Sequence, residues 1–127
     1  SRLSRCKTFA YSQAVMARLE AGSAGKDDAL LLNSTGELCC STSANLLVRR
    51  DGAWLTPPLS SGCLPGVMRA RALATGLCRE AWIGANLKPT DQALLVNSLG
   101  CRAIQSVNGN TLDWDIQSQE LWTNLLL

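Results

Sequence analysis

The 127-residue chain has no histidine, only four tryptophans, one tyrosine and one phenylalanine as aromatics, and a net charge of just +2. Without histidine, Ser-His-Asp and Cys-His catalysis and every His-containing metal site are excluded within the chain. Acid–base work then falls to Lys, Asp, Glu, Tyr or Cys, or to a group supplied from outside. The small net charge comes without a Lys/Arg run, so the footprint of a nucleic-acid binder is missing. No run of about 18 apolar residues exists, which excludes a membrane-spanning helix. Nothing near Ser1 reads as a signal peptide, and Ser1 in place of an initiator methionine points to a processed or truncated start.

The six cysteines, Cys6, Cys39, Cys40, Cys63, Cys78 and Cys101, form no C-x-x-C pair. Zinc sites use paired ligands a few residues apart, so a metal site is not expected. Three disulfides are arithmetically possible, but the chain is too apolar and regular for a disulfide scaffold. Reduced, buried cysteines in a cytosolic protein are the expectation. At 46% hydrophobic and 17% charged residues, the chain reads as one globular domain over residues 1–127.

Apolar spacing at Tyr11, Ala14, Val15 and Leu19 predicts a helix from Thr8 to Ala21, closed by Gly22. Short apolar runs predict strands at Ala29–Leu32 and Glu37–Cys40, joined by Asn33-Ser34-Thr35-Gly36. Asp51-Gly52 is favoured two-residue turn chemistry, predicting a hairpin of Asn45–Arg49 with Ala53–Thr56. Pro65 suits a helix start, with Arg69–Leu77 continuing it. Further strands are predicted at Arg79–Leu87, Ala93–Asn97 and Arg102–Val107, and an amphipathic helix from Ile116 onward. About seven short strands with two or three helices make an α+β domain.

Three segments stand apart from ordinary core or surface. Lys7 lies just ahead of the first amphipathic stretch; such a lysine is ordinarily solvated and gains catalytic value through desolvation or capture by a carbonyl cofactor. In Ser60-Ser61-Gly62-Cys63-Leu64-Pro65-Gly66-Val67-Met68-Arg69, Gly66 removes bulk at a helix start. The free backbone N–H groups of Val67 and Met68 there suit an anion, although a plain Pro-Gly helix start reads the same. Leu94 to Gly100 reads as a buried strand ending in Asn97-Ser98, which either presents polar groups to a ligand or simply turns the chain. Arg102 is read as a surface residue or a partner for a substrate carboxylate. Trp54, Trp82, Trp114 and Trp122 are scattered, which suits packing. Cys39 and Cys40 are expected on opposite faces of their strand.

Taken in order, Lys7, Asp28–Asn33, Gly36, Ser43-Ala44-Asn45-Leu46, Thr56-Pro57-Pro58, Ser61–Arg69 and Asn97-Ser98-Leu99 resemble the fold-type IV pyridoxal-phosphate enzymes, the class IV aminotransferase family. The resemblance spans about residues 1 to 114. Within that family the Lys7-Thr8 context and the Asn97-Ser98-Leu99 form are most like the 4-amino-4-deoxychorismate lyases. The resemblance implies a barrel-like mixed-sheet C-terminal domain with flanking helices, of the D-amino-acid aminotransferase-like type, and pyridoxal 5'-phosphate as cofactor.

Residue by residue, Lys7 matches the lysine that bonds the cofactor aldehyde and then moves the substrate Cα proton. Val67 and Met68 match the N–H groups on the cofactor phosphate, with Gly66 giving access. Asn97 and Ser98 match the strand end that completes phosphate and substrate contacts. Asn45 follows the cofactor-facing turn, in a structural or a contacting role. Cys40 stands where the family places a glutamate on the ring nitrogen, and a thiol cannot supply that charge. Glu37, three residues earlier, points to the opposite face of a regular strand unless a bulge intervenes.

The resemblance also implies an N-terminal domain ahead of Lys7 that this chain does not include. It implies a small-molecule amino substrate, a homodimer, a cytoplasmic location, and neither nucleic acid nor membrane as partner. The implied reaction is 4-amino-4-deoxychorismate to 4-aminobenzoate and pyruvate, on the folate route. The alternatives are transamination of branched-chain or D-amino acids, and a non-catalytic remnant domain.

Overall fold

The computed structural model describes residues 14–19, 27–41, 44–107 and 109–113, together with Leu121 and Asn124. Lys7 and most of the tail predicted to be helical from Ile116 lie outside these; Leu121 and Asn124 are helical. The described elements are strands β1 (Ala14–Leu19), β2 (Asp27–Leu32), β3 (Leu38–Ser41), β4 (Asn45–Arg50), β5 (Ala53–Thr56), β6 (Cys78–Glu80), β7 (Gln92–Asn97), β8 (Gly100–Val107) and β9 (Asn110–Thr111). A 3-10 turn (Leu59–Ser61) and one α-helix, α1 (Val67–Ala74), stand between β5 and β6.

The strands form one mixed sheet in the order β3-β2-β1-β8-β7-β4-β5-β6, with β9 beside β8. All pairings are antiparallel except β5 with β6. The ladder also joins β3 to β4 through the single pair Cys40–Asn45, so six strands close a circuit. Consequently one edge of β4 pairs with β7 throughout, while the other is shared by β3 at Asn45 and β5 from Val48. Thr56 Oγ1 bridges the gap by donating to the Leu46 carbonyl at 2.8 Å.

Consecutive residues of β4 and β7 are buried on both faces, as continuous apolar runs require. Leu30, Leu32, Leu38, Leu46, Val48, Leu95 and Ile104 share the inner cluster. Leu47, Leu94, Val96, Cys101 and Ala103 occupy the other face, where Met68 and Ala72 of α1 cover them. Asp51 at φ 52° and Gly52 at φ 81° give the predicted hairpin its left-handed turn.

Several expectations are corrected. The stretch predicted as helix from Thr8 to Ala21 contains strand β1, which pairs with β2 and β8 on its two edges. Ladder partners on both sides override a helical spacing of apolar residues. The strand predicted over Arg79–Leu87 ends at Glu80, because β6 pairs only with the short β5; the chain then leaves the sheet and drops Ile83 into the inner cluster. Helix α1 stops at Ala74, with Gly76 at φ 78° just beyond. Trp54 packs against the α1 face, whereas Trp82 is 54% exposed. Arg102 pairs with Leu95, a residue of the inner cluster, so it sits on the face away from Asn45.

Candidate functional site

The site is organised around α1 and the loop before it. The amide N–H groups of a helix's first turn have no intrahelical acceptor. Gly66, the N-cap at φ −72° and ψ 152°, brings no side-chain capping bond, and the first turn carries no acid. The N–H groups of Val67 and Met68 are therefore available to an outside anion, with the helix dipole in support. Val67 is 65% exposed, while Met68 is buried against Val96 and Cys101.

What shapes this cradle is Asn45. It is buried at the start of β4, and its Nδ2 donates to the Leu64 carbonyl at 2.7 Å. A Cβ placed on Gly66 would overlap the Asn45 Oδ1. The glycine is thus required by a side chain 21 positions earlier as well as by the helix start. Of the two roles open to Asn45, the geometry supports the structural one.

Cys40, Asn45, Val96 and Cys101 form one rung across β3, β4, β7 and β8, with Leu31 on the far side of Cys40. Burial pushes the Cys101 thiol up to about 12, so it stays protonated at neutral pH. Asn97 lies one residue beyond this rung. Its Oδ1 accepts from the Leu99 N–H at 2.8 Å and the Gly100 N–H at 3.0 Å, which closes the two-residue turn of Ser98 and Leu99. Ser98 is exposed and Leu99 is 89% exposed. The structure therefore brings Cys40, Asn45, Gly66, Val67 and Met68 together, with Asn97 and Ser98 at the same end of the sheet.

The ladder between β2 and β3 is irregular: Leu31 pairs with Cys40, but Leu32 pairs with Leu38. Cys39 is the extra residue of a β-bulge. Cys39, Cys40 and Cys63 consequently form one buried cluster with Leu64, correcting the expectation that the vicinal pair splits between faces. Cys39 Sγ donates to the Ser61 carbonyl at 3.0 Å, and Cys63 Sγ to the Pro57 and Pro58 carbonyls at 3.6 and 3.5 Å. These thiols act as weak donors that hold the loop leading to α1.

Sequence reasoning missed Arg69. This buried residue of α1 donates from Nη2 to the Pro57 carbonyl at 3.1 Å and pairs with Glu80. It ties the helix to the loop and to β6, although its Nε has no partner among the described residues. A lone arginine in a helix carries no sequence signal for such a clamp.

The sequence pattern of the amino-transferase class IV family matches residues 1–107. Among curated proteins, the chain is 38% identical over 87 residues to a protein of Schizosaccharomyces pombe assigned as an aminodeoxychorismate lyase, covering 65% of this chain and 38% of that protein. It is 31% identical over 87 residues to a branched-chain-amino-acid aminotransferase assigned in Synechocystis sp., covering 68% of this chain and 28% of that one. Among solved structures, one from Legionella pneumophila assigned as a 4-amino-4-deoxychorismate lyase superposes with a TM-score of 0.68 at 26% identity, over 84% of this chain and 42% of that chain. The branched-chain amino acid aminotransferase of Thermobaculum terrenum in its PLP form shares the fold, with a TM-score of 0.67 at 22% identity over 84% of this chain and 39% of that one. The matches thus cover between 28% and 42% of the length of these relatives.

Proposed function

The chain belongs to the class IV aminotransferase family, and on that premise we propose its function. Residues 1–127 are the cofactor-holding C-terminal domain of a lyase that converts 4-amino-4-deoxychorismate to 4-aminobenzoate and pyruvate, on the route to folate. The cofactor implied by the family is pyridoxal 5'-phosphate. When bound, it supplies an aldehyde for a lysine amine and a ring that draws electrons from an amino substrate.

The observation that carries this reading is the uncapped first turn of α1, kept open by Gly66 and set in place by Asn45. The N–H groups of Val67 and Met68 would hold the cofactor phosphate, and Asn97 and Ser98 would complete that end of the site. Cys40 would lie on the ring side, in the rung it shares with Asn45. Lys7 is assigned the amine that holds the cofactor and then carries the proton at the substrate Cα. The partners proposed are an N-terminal domain, which completes the substrate pocket, and a second copy of the protein. Among the described residues no helix is long and apolar enough to cross a membrane. The five buried thiols among the described residues fit a reducing compartment, so the cytoplasm is the proposed location.

One observation and one chemical argument favour the lyase reaction. The aminodeoxychorismate lyase relative has the higher identity of the two curated relatives compared above. Loss of pyruvate also aromatises the product ring, a driving force that transamination lacks. The similarity to branched-chain aminotransferases supports transamination as the second reading.

The test uses the intact natural protein with pyridoxal phosphate. Aminodeoxychorismate is expected to yield 4-aminobenzoate without an amino acceptor, and Lys7→Ala is expected to abolish both turnover and the visible absorption of the bound cofactor. Keto acid formation that requires an acceptor selects the transaminase. Absence of a visible band in the unsubstituted protein sinks the enzyme reading and leaves a remnant domain.

A further inference from the structure

We infer that Glu37, rather than Cys40, supplies the carboxylate facing the cofactor's ring nitrogen; this deepens the function proposed above and rests on its cofactor reading. In a regular strand Glu37 and Cys40, three apart, face opposite sides. The bulge at Cys39 reverses that parity. Leu38 pairs with Leu32 on the inner face, whereas Cys40 pairs with Leu31 on the outer one. Glu37, adjacent to Leu38, therefore shares the outer face with Cys40.

A second contact agrees. Asn33 follows Leu32, so it too falls on the outer face, and its Nδ2 donates to Glu37 Oε1 at 3.3 Å. Thr35 Oγ1 donates to the same oxygen at 2.5 Å. Oε1 is held by these two donors, and Oε2 has no hydrogen-bond partner among the described residues. Past the bulge, Glu37 stands about two ladder steps, roughly 7 Å, from Cys40. Its side chain reaches farther from the backbone than a cysteine does.

The other described carboxylates are committed or distant. Asp91 is tied to Arg50 and Glu80 to Arg69. Asp51 sits in the turn after β4, and Asp113 lies beside Gln92 at the start of β7, both at the end away from Asn45 and Asn97. Asp27 and Asp28 begin β2, three or more residues along the strand from Leu31, the ladder partner of Cys40. Glu37 is left as the described carboxylate nearest to Cys40 along the outer face of the ladder. An anionic acceptor on a pyridine nitrogen favours its protonated form, which strengthens the ring as an electron sink.

In the intact protein, Glu37→Gln is expected to raise the dissociation constant for pyridoxal phosphate about tenfold, the loss of one charge-assisted hydrogen bond. It is also expected to change the cofactor's visible absorption at fixed pH, while the Tm stays within a few degrees. Glu37→Asp keeps the charge and restores the absorption. Asp51→Asn, removing an acid at the opposite end, leaves both readouts as they were. Unchanged affinity and absorption in Glu37→Gln overturn the assignment while leaving the cofactor reading standing. Failure of the unsubstituted protein to bind pyridoxal phosphate overturns that reading, and this inference with it.

Discussion

The two faces of β4 and β7 are equally buried but differently made. Leu46, Val48, Ala93 and Leu95 belong to the apolar inner cluster. Asn45, Leu47, Leu94 and Val96 face outward, where they meet a helix and a loop whose backbone groups need partners. The inner face solves a packing problem between strands, and hydrocarbon suffices for it. The outer face must also fix a helix N-terminus, so an amide and several thiols stand among the hydrocarbons. Stability and site geometry are therefore carried by alternate residues of the same strands.

The largest test of this division is Leu46→Ala. Leu46 is wholly buried on the inner face, and truncation there is expected to cost about 3–4 kcal/mol, the transfer term plus the cavity left behind. Urea unfolding measures it through a lowered midpoint. A loss under about 1 kcal/mol would mean that the inner face is not what holds the domain together.

Next comes Asp91→Asn, at the end of the sheet remote from the site. Asp91 is buried and accepts from Arg50 Nε at 3.1 Å, Arg50 Nη2 at 2.7 Å and the Lys88 N–H at 2.8 Å. Burial works to raise its carboxyl pKa, but these donors outweigh burial and hold it below the ordinary carboxylate value. The stabilisation is thus fully present above the unfolded value of about 4 and lost as pH falls through the lower folded one. Asp91→Asn is expected to cost about 3 kcal/mol at neutral pH and to flatten the acid side of the stability profile. A profile of unaltered slope would place the acid sensitivity elsewhere.

The contrast between faces also sorts what the sequence could disclose. Apolar runs at Ala29–Leu32 and Ala93–Asn97 and the Asp51-Gly52 turn carry local signals, and the corresponding strands and hairpin formed close to where they were expected. Strand β1 reads as a helix in the sequence because its ladder partners, the following strand β2 and the distant β8, leave no mark on its own apolar spacing. The Gly66 turn was legible as a helix start, but its dependence on Asn45 was not, since nothing local links residues 45 and 66. The bulge at Cys39 was equally hidden: an extra residue in one strand shows only against its partner, and it decides which face Glu37 occupies. Lys7 lies outside the described residues and keeps the standing that the resemblance gave it.

The smallest expected effect probes the outer face most directly, through a cycle on Asn45 and Gly66. Gly66→Ala alone forces a methyl group onto the Asn45 amide oxygen, and such overpacking costs about 1–2 kcal/mol. Asn45→Ala alone leaves the Leu64 carbonyl without its donor at 2.7 Å, a loss of about 1 kcal/mol. In the double variant the overlap disappears, because the atom that Gly66→Ala would strike is gone. The pair should then be no less stable than Asn45→Ala, with a coupling of about 1 kcal/mol. Additive losses would show that the glycine is required by the helix start alone. Coupled losses make Asn45 the residue that fixes where the Val67 and Met68 N–H groups point, and phosphate affinity should then fall in both single variants.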